Sequence, residues 1–418
     1  MINYLPRLAD KQLRNRLAAL GAVAIEGPKA CGKTATARQC ASSEVLLDID
    51  IDAVRAVSID PRLVLPGPTP RLIDEWQRHP LIWDAVRRAV DDRSAPGQFI
   101  LTGSAIPNDN TARHSGAGRI TVMRMRPMTM FEQRKSTGVI SLDALMSGDS
   151  PTSAQSELDI HAYAKQVITG GWPQLINEDL AVAQQFITSY IDLVIEHDIE
   201  EATGVHRNPR LVRRFMYSYA QLTAHPARLS TIIGRARGEE AHEVALSRWA
   251  ADPYLDALRR LMIVDEIEPW APSLRSRTRL TSTPKRHLTD PSLAACLLGT
   301  SPQGLINDLK TFGFLFESLV ARDIRVYAET NGARVYHYRE QSGHLEADLI
   351  VEHTDGRWAA FEVKLGGTLI DEAAKSLLHL ARSRIATPPV ALAVVTTTEY
   401  AYLRPDGIWI IPLGCLGP

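Results

Sequence analysis

The sequence predicts an α/β protein in three parts, and three observations carry that expectation. Short apolar or β-branched runs alternate with helix-compatible segments from residue 22 to 125, a mostly helical pattern fills 158–299, and the α/β alternation returns from Phe312. A length of 418 residues agrees, since roughly 150 residues per domain gives two to three domains. The boundaries read as 1–135, a polar, small-residue linker at 136–157, a helical middle domain at 158–299, and a last domain at 300–418.

In the first part the strands are AVAIE (22–26), EVLLDID (44–50), PRLIDE (70–75), GQFILTGS (97–104) and RITVMRM (119–125). Helical segments such as TATARQCA and HPLIWDAVRRAVDD separate them, which is the pattern of a buried parallel sheet. In the middle, AVAQQFITSYIDLVIEHDI repeats apolar residues at three and four, DPYLDALRRLM is a short amphipathic helix, and IVDEIEPW reads as a strand before the basic segment SLRSRTRLTSTPKR. Helix, strand, basic loop, strand is the order of a winged helix. The last part holds the helix FGFLFESLVARDIRVYAE, a hairpin near 345–365, the helix IDEAAKSLLHLARS, and the strands PVALAVVT and GIWIIPL.

Composition excludes several classes. Lys+Arg 47 against Asp+Glu 48 gives a net charge of -1, so no basic excess points to nucleic acid. A hydrophobic content of 45% with 23% charged residues excludes wholesale disorder. No apolar run approaches the ~20 residues of a membrane span, and the first residues lack a basic region followed by an apolar one. Cys31, Cys40, Cys296 and Cys415 form no CxxC pair, which argues against a zinc site or a disulfide framework. The expectation is a cytoplasmic protein without membrane contact.

Gly27-Pro28-Lys29-Ala30-Cys31-Gly32-Lys33-Thr34 matches GxxxxGK[ST], with a strand before it and a helix after it. Glycines let the backbone curl so that N–H groups point at phosphate oxygens. Lys33 can reach β- and γ-phosphates, and the Thr34 hydroxyl can ligate Mg²⁺, so ATP and Mg²⁺ are the expected ligands. Leu72-Ile73-Asp74-Glu75 supplies the acidic half of such a site. Asp74 would orient the metal through its water shell, and Glu75 would polarise the attacking water. Ser104, after the strand Phe99-Ile100-Leu101, could align that water or terminate an ordinary small-residue turn.

These motifs, with LIDEWQ, ILTGS, SGAGRI and RMRPMTMFE in that order, resemble the AAA-type ATPases of bacteria and archaea. The subset resembled carries a C-terminal domain combining a winged helix with a restriction-endonuclease-like fold. The likeness continues through GGWP (170–173), YIDLVIEHDI (190–199) and TPKRHLTDPSLAACLLG (283–299), nearly the whole chain. It implies a P-loop NTPase sheet, and it places Arg119 where an arginine could stabilise phosphate charge in cis or from a neighbour. It also leaves room for a homo-oligomer or a protein partner.

A hairpin about Thr354-Asp355-Gly356 sets Asp348 opposite Glu362, with Lys364 two residues on and so on the same face. Glu317, on the preceding helix, is a fourth candidate. Two carboxylates that hold Mg²⁺ beside a lysine suit phosphodiester cleavage, and the set resembles the PD-(D/E)XK nuclease motif. A cross-strand salt-bridge group is the bland alternative. In the basic loop, Arg275, Arg277 and Arg279 alternate, Lys285 and Arg286 follow, and Arg259 and Arg260 end the preceding helix. In a winged helix these would contact DNA phosphates, although such modules also dock proteins. His206, His225 and His287 show no metal-ligand spacing.

Overall fold

Five parallel strands open the structure: β1 (Ala22–Glu26), β2 (Ser43–Leu46), β3 (Arg71–Asp74), β4 (Phe99–Gly103) and β5 (Ile120–Arg124), in the spatial order β2-β3-β4-β1-β5. The structure is a computed structural model that describes residues 4–106, 115–149, 153–205, 207–236, 248–271, 282–340, 345–382 and 387–418. Strands β1 and β4 are buried along nearly their whole length, as the continuous apolar runs require when helices cover both faces. The helices Leu8–Ala19, Lys33–Arg38, Ile51–Ile59 and Leu81–Arg93 belong to the same unit. The run EVLLDID ends as a strand at Leu46, because the Asp50 side chain accepts the Ala53 N–H and caps the next helix. The mixed α/β chain thus begins with a parallel sheet.

The chain divides into two units. One comprises Met1–Pro127, Glu196–Arg207 and Asp256–Ile263, and the other Met128–Ile195, Asn208–Leu255 and Val264–Pro418. The second contains a 7-stranded sheet built on the hairpin of β9 (Glu346–His353) and β10 (Trp358–Lys364). Strand β8 (Ala333–Arg339) pairs antiparallel with β9, while β11 (Ala391–Thr396) and β13 (Trp409–Pro412) continue in parallel from β10. Strand β12 (Tyr400–Leu403) and the short β7 (Ala154–Gln155) complete the far edge. Residues 136–157, expected as a linker, therefore supply a strand of this sheet. They also supply β6 (Ile140–Ser141), paired with β14 (Leu416–Gly417), and the helix Leu142–Ser147, whose Leu142, Leu145 and Met146 are buried. Polar turn residues masked those few apolar anchors in the sequence.

Among the described residues the expected strand IVDEIEPW makes isolated bridges, Val264 with Leu288 and Ile267 with Lys285 antiparallel, and Pro269 with His337 parallel. Arg275, Arg277 and Arg279 lie outside the described residues, as does His206.

At the centre of the second unit, on the helix Leu309–Thr330, the buried Arg322 donates from Nη1 to Asp290 (2.7 Å) and from Nε and Nη2 to Asp323 (2.9 and 2.7 Å). Asp290 also accepts the Gly171 N–H (3.0 Å), and Asp323 the Met130 N–H (2.8 Å). A side chain at Gly170 (φ +69°) would strike Asp290, and one at Gly171 would strike the Met128 carbonyl. The motifs RMRPMTMFE, GGWP and HLTDPS thus converge on one guanidinium. Removing one member of a buried ionic cluster strands the others without solvent. Arg322→Met is expected to lower the stability of this unit by about 3–5 kcal/mol in denaturant titration. Arg322→Lys should recover only part of it, because an ammonium lacks the planar fork.

Candidate functional site

The phosphate-loop residues Gly27–Thr34 follow β1, at the carboxyl edge of the parallel sheet. A Cβ at Gly27 would run into the Met125 carbonyl, and Gly32 turns the chain with φ +101° into the helix Lys33–Arg38. The buried Lys33 folds back on the loop, its Nζ donating to the carbonyls of Gly27 (2.9 Å) and Pro28 (2.8 Å). The Thr34 hydroxyl donates to Asp74 Oδ1 at 3.0 Å, and the Thr102 hydroxyl donates to the same oxygen. Glu75 takes the left-handed conformation (φ +54°), and its carboxylate accepts from Ser104 Oγ at 2.9 Å to each oxygen and from the Gln77 amide. Parallel pairing explains the convergence. Glu26, Asp74 and Gly103 end neighbouring strands, so the residues that follow share one edge. The hydroxyl of Thr34 and the carboxylate of Asp74 are hard oxygen donors of the kind Mg²⁺ takes.

Two groups at this site carry no motif. Arg7 reaches in from the N-terminal segment, donating to the carbonyls of Cys31 (2.9 Å) and Arg126 (2.8 Å). Asp10 accepts from the Arg7 N–H and from the Tyr4 hydroxyl, which also lies 3.1 Å from Thr36 Oγ1. The second group is Asp198, whose Oδ1 lies 2.8 Å from Lys29 Nζ, with Glu201 at 3.7 Å. No local spacing signals either contact, because both partners are distant in sequence from the loop.

Arg119 is not brought to the loop. Its carbonyl accepts the Ala22 N–H at the start of β1, so it stands at the amino edge of the sheet while the loop leaves the carboxyl edge. There it pairs with Asp91 (2.7 Å) and is 46% exposed. Direct action of Arg119 on the nucleotide of its own chain is therefore corrected by strand direction.

In the second unit the hairpin register runs to Phe361 opposite Leu349, which sets Glu362 beside Asp348. Lys364 Nζ lies 2.6 Å from Glu362 Oε2 and 3.6 Å from Asp348 Oδ2, and Glu317 joins from its helix. These residues face an open cleft of about 660 Å³. The fifth member is Lys285. It was expected in a phosphate-contacting wing, but it is fully buried, with Nζ 2.6 Å from Glu317 Oε1 and 3.0 Å from Asp348 Oδ1. Arg286 also turns inward, to Glu266 and the Ala227 carbonyl (2.8 Å). Both side chains are buried against acidic partners, so the wing assignment of Lys285 and Arg286 is corrected.

Burial pushes Asp348 up, but Lys285, Lys364 and the Val363 N–H outweigh it and hold the carboxyl down at about 2. Burial and then the charge of Asp348 raise Glu317 and Glu362 to about 8. Burial alone would lower Lys285; Asp348 and Glu317 reverse that and raise it. Three carboxyl groups thus share two ammonium groups, and the shortage of cations keeps Glu317 and Glu362 protonated to higher pH than Asp348. Both oxygens of Asp348 are occupied by donors, and among the described residues no group of three His, Cys, Asp or Glu side chains is arranged to hold a metal. The donor set does not fit a divalent ion at Asp348 and Glu362 as arranged.

Of the other basic residues, Arg260 lies 3.9 Å from Asp256 and is largely covered, while Arg259, on the same helix, is exposed and engaged elsewhere. His287 is buried against Ser318 Oγ (3.1 Å).

The phosphate loop at the carboxyl edge of a parallel sheet defines a nucleotide-binding class, and residues 20–133 match the AAA domain family, so the N-terminal region is of AAA type. Residues 160–304 and 312–416 match two domains of unknown function, DUF8612 and DUF4143. Two relatives, the uncharacterized proteins Mb2031c of Mycobacterium bovis and Rv2008c of Mycobacterium tuberculosis, are each 27% identical over 414 residues, covering 97% of this chain and 83% of theirs. Among solved structures, protein VC1899 of Vibrio cholerae is 12% identical over 94% of each chain, at a TM-score of 0.21 too low to carry an argument. Among the described residues no helix is long and apolar enough to cross a membrane.

Lys285→Met tests the buried cluster. It is expected to cost about 3–5 kcal/mol in denaturant unfolding, by leaving Glu317 and Asp348 without their cation. A solvated wing lysine would change stability by no more than about 0.5 kcal/mol.

Proposed function

We propose that the chain binds ATP with Mg²⁺ at residues 27–34 and hydrolyses it, using nucleotide state to control its C-terminal half. One observation carries the reading: Thr34 and Thr102 converge on Asp74 beside a Glu75 already fastened by Ser104 and Gln77. Lys33 exchanges its carbonyl partners for phosphate oxygens, a charge-assisted contact that is the stronger of the two. Thr34 and Asp74 would hold the metal, which would supply positive charge to screen the phosphates. Glu75 orients and polarises the attacking water, and Ser104 fixes its carboxylate in place. Arg119, at the opposite edge, serves only the nucleotide of a neighbouring copy if it serves one.

For the C-terminal half, Lys285 favours a nuclease-like domain without catalysis over a metal-dependent nuclease. Its ammonium already pairs with Asp348 and Glu317 beside Glu362 and Lys364, and the domain then serves as a scaffold that docks a protein partner. The competing reading is DNA contact through a winged helix, using Arg275, Arg277 and Arg279 with Arg259 and Arg260.

Lys33→Ala is expected to abolish Mg²⁺-dependent phosphate release. Glu75→Gln should slow it about 10²- to 10⁴-fold while retaining ATP binding. Undiminished turnover in both variants would sink the ATPase reading. Supercoiled plasmid with ATP and Mg²⁺ or Mn²⁺ should stay supercoiled with wild type and Asp348→Ala alike. Nicking by wild type that Asp348→Ala abolishes would restore the nuclease.

A further inference from the structure

The segment YIDLVIEHDI has no part in the chemistry above, yet its end lies on the phosphate loop. The α-helix Leu180–Leu193 passes into a π-helical turn, Val194–Asp198, and then into the helix Ile199–Thr203. A π turn interrupts regular hydrogen bonding, and such turns are frequent at functional sites. The turn brings the buried Asp198 to 2.8 Å from Lys29 Nζ, and Glu201, almost one helical turn further, to 3.7 Å. Residues 196–207 accordingly group with the phosphate-loop unit, although the chain on either side of them belongs to the other.

Lys29 is the third residue of the loop, and its side chain is 42% exposed. The pair is open to solvent on its lysine side, so another anion can reach the ammonium and displace the acids. A triphosphate seated on the loop is such an anion. A diphosphate brings less charge and competes less well.

We infer that Asp198 and Glu201 sense the nucleotide: they hold Lys29 when the loop is empty and lose it to the phosphates of ATP, which frees residues 194–203 to change conformation. They are positioning residues, acting on phosphate through Lys29. The inference rests on the nucleotide reading of the loop.

The full-length protein would be titrated with a fluorescent non-hydrolysable ATP analogue and with fluorescent ADP, as wild type, Asp198→Asn, Lys29→Ala and the double variant. Asp198→Asn is expected to tighten the ATP analogue about 5-fold and ADP by less, the scale of an ordinary coupling between sites. In the Lys29→Ala background the same substitution should change nothing. Glu201→Gln, at a 65% exposed position, should act in the same direction more weakly, and it serves if Asp198→Asn fails to fold. Hydrogen exchange over residues 194–203 should rise with the ATP analogue in wild type and be high in Asp198→Asn without it. Equal effects of Asp198→Asn in both backgrounds, or exchange indifferent to nucleotide, would overturn the inference and leave nucleotide binding intact. Failure of wild type to bind either nucleotide would overturn both.

Discussion

The larger unit depends on one buried guanidinium. Arg322 carries a charge that would be very costly to hold away from water, and Asp290 and Asp323 supply the compensation. Those carboxylates in turn receive backbone N–H groups from Gly171 and Met130, so the chain must pass close on both sides. The glycines follow from this constraint, since any side chain at 170 or 171 would occupy the space of a carboxylate or a carbonyl. Separated sequence motifs are thereby reduced to one electrostatic requirement.

Charge is handled differently in the two units. At the phosphate loop, positive and polar groups rest on weak partners: Lys33 on carbonyls, Lys29 on a partly exposed acid pair, Glu75 on neutral donors. The carbonyls on Lys33 and the acids on Lys29 are acceptors that phosphate oxygens could replace. Around Asp348 the pairing is saturated, since two ammonium groups and a backbone N–H already satisfy the acid. The pairing is loose in the first arrangement and closed in the second.

Much of the architecture was legible in the sequence because its signals are local. Parallel strands at 22–26 and 99–103, the hairpin about Asp355, and the loop at 27–34 rest on apolar runs, a turn dipeptide and a glycine pattern. The rest depended on distant neighbours. Lys285 looked like a wing residue because a basic run gives no sign of which side chains turn inward, and its direction is set by Glu317 and Asp348, both distant in sequence. Arg119 was misplaced because motif order does not state which edge of a sheet a residue occupies. Asp198 sits 169 residues from Lys29, and no spacing rule reaches so far.

Arg7 has a consequence for where the nucleotide domain begins. The region matching the AAA family starts at residue 20, yet the carbonyls of Cys31 and Arg126 are braced by the guanidinium of Arg7, thirteen positions earlier, whose backbone N–H is held by Asp10, itself bonded by the Tyr4 hydroxyl. A domain excised at residue 20 would keep every motif residue and lose the floor beneath them. The functional boundary of the loop is set by what supports its backbone, and that support starts at Tyr4.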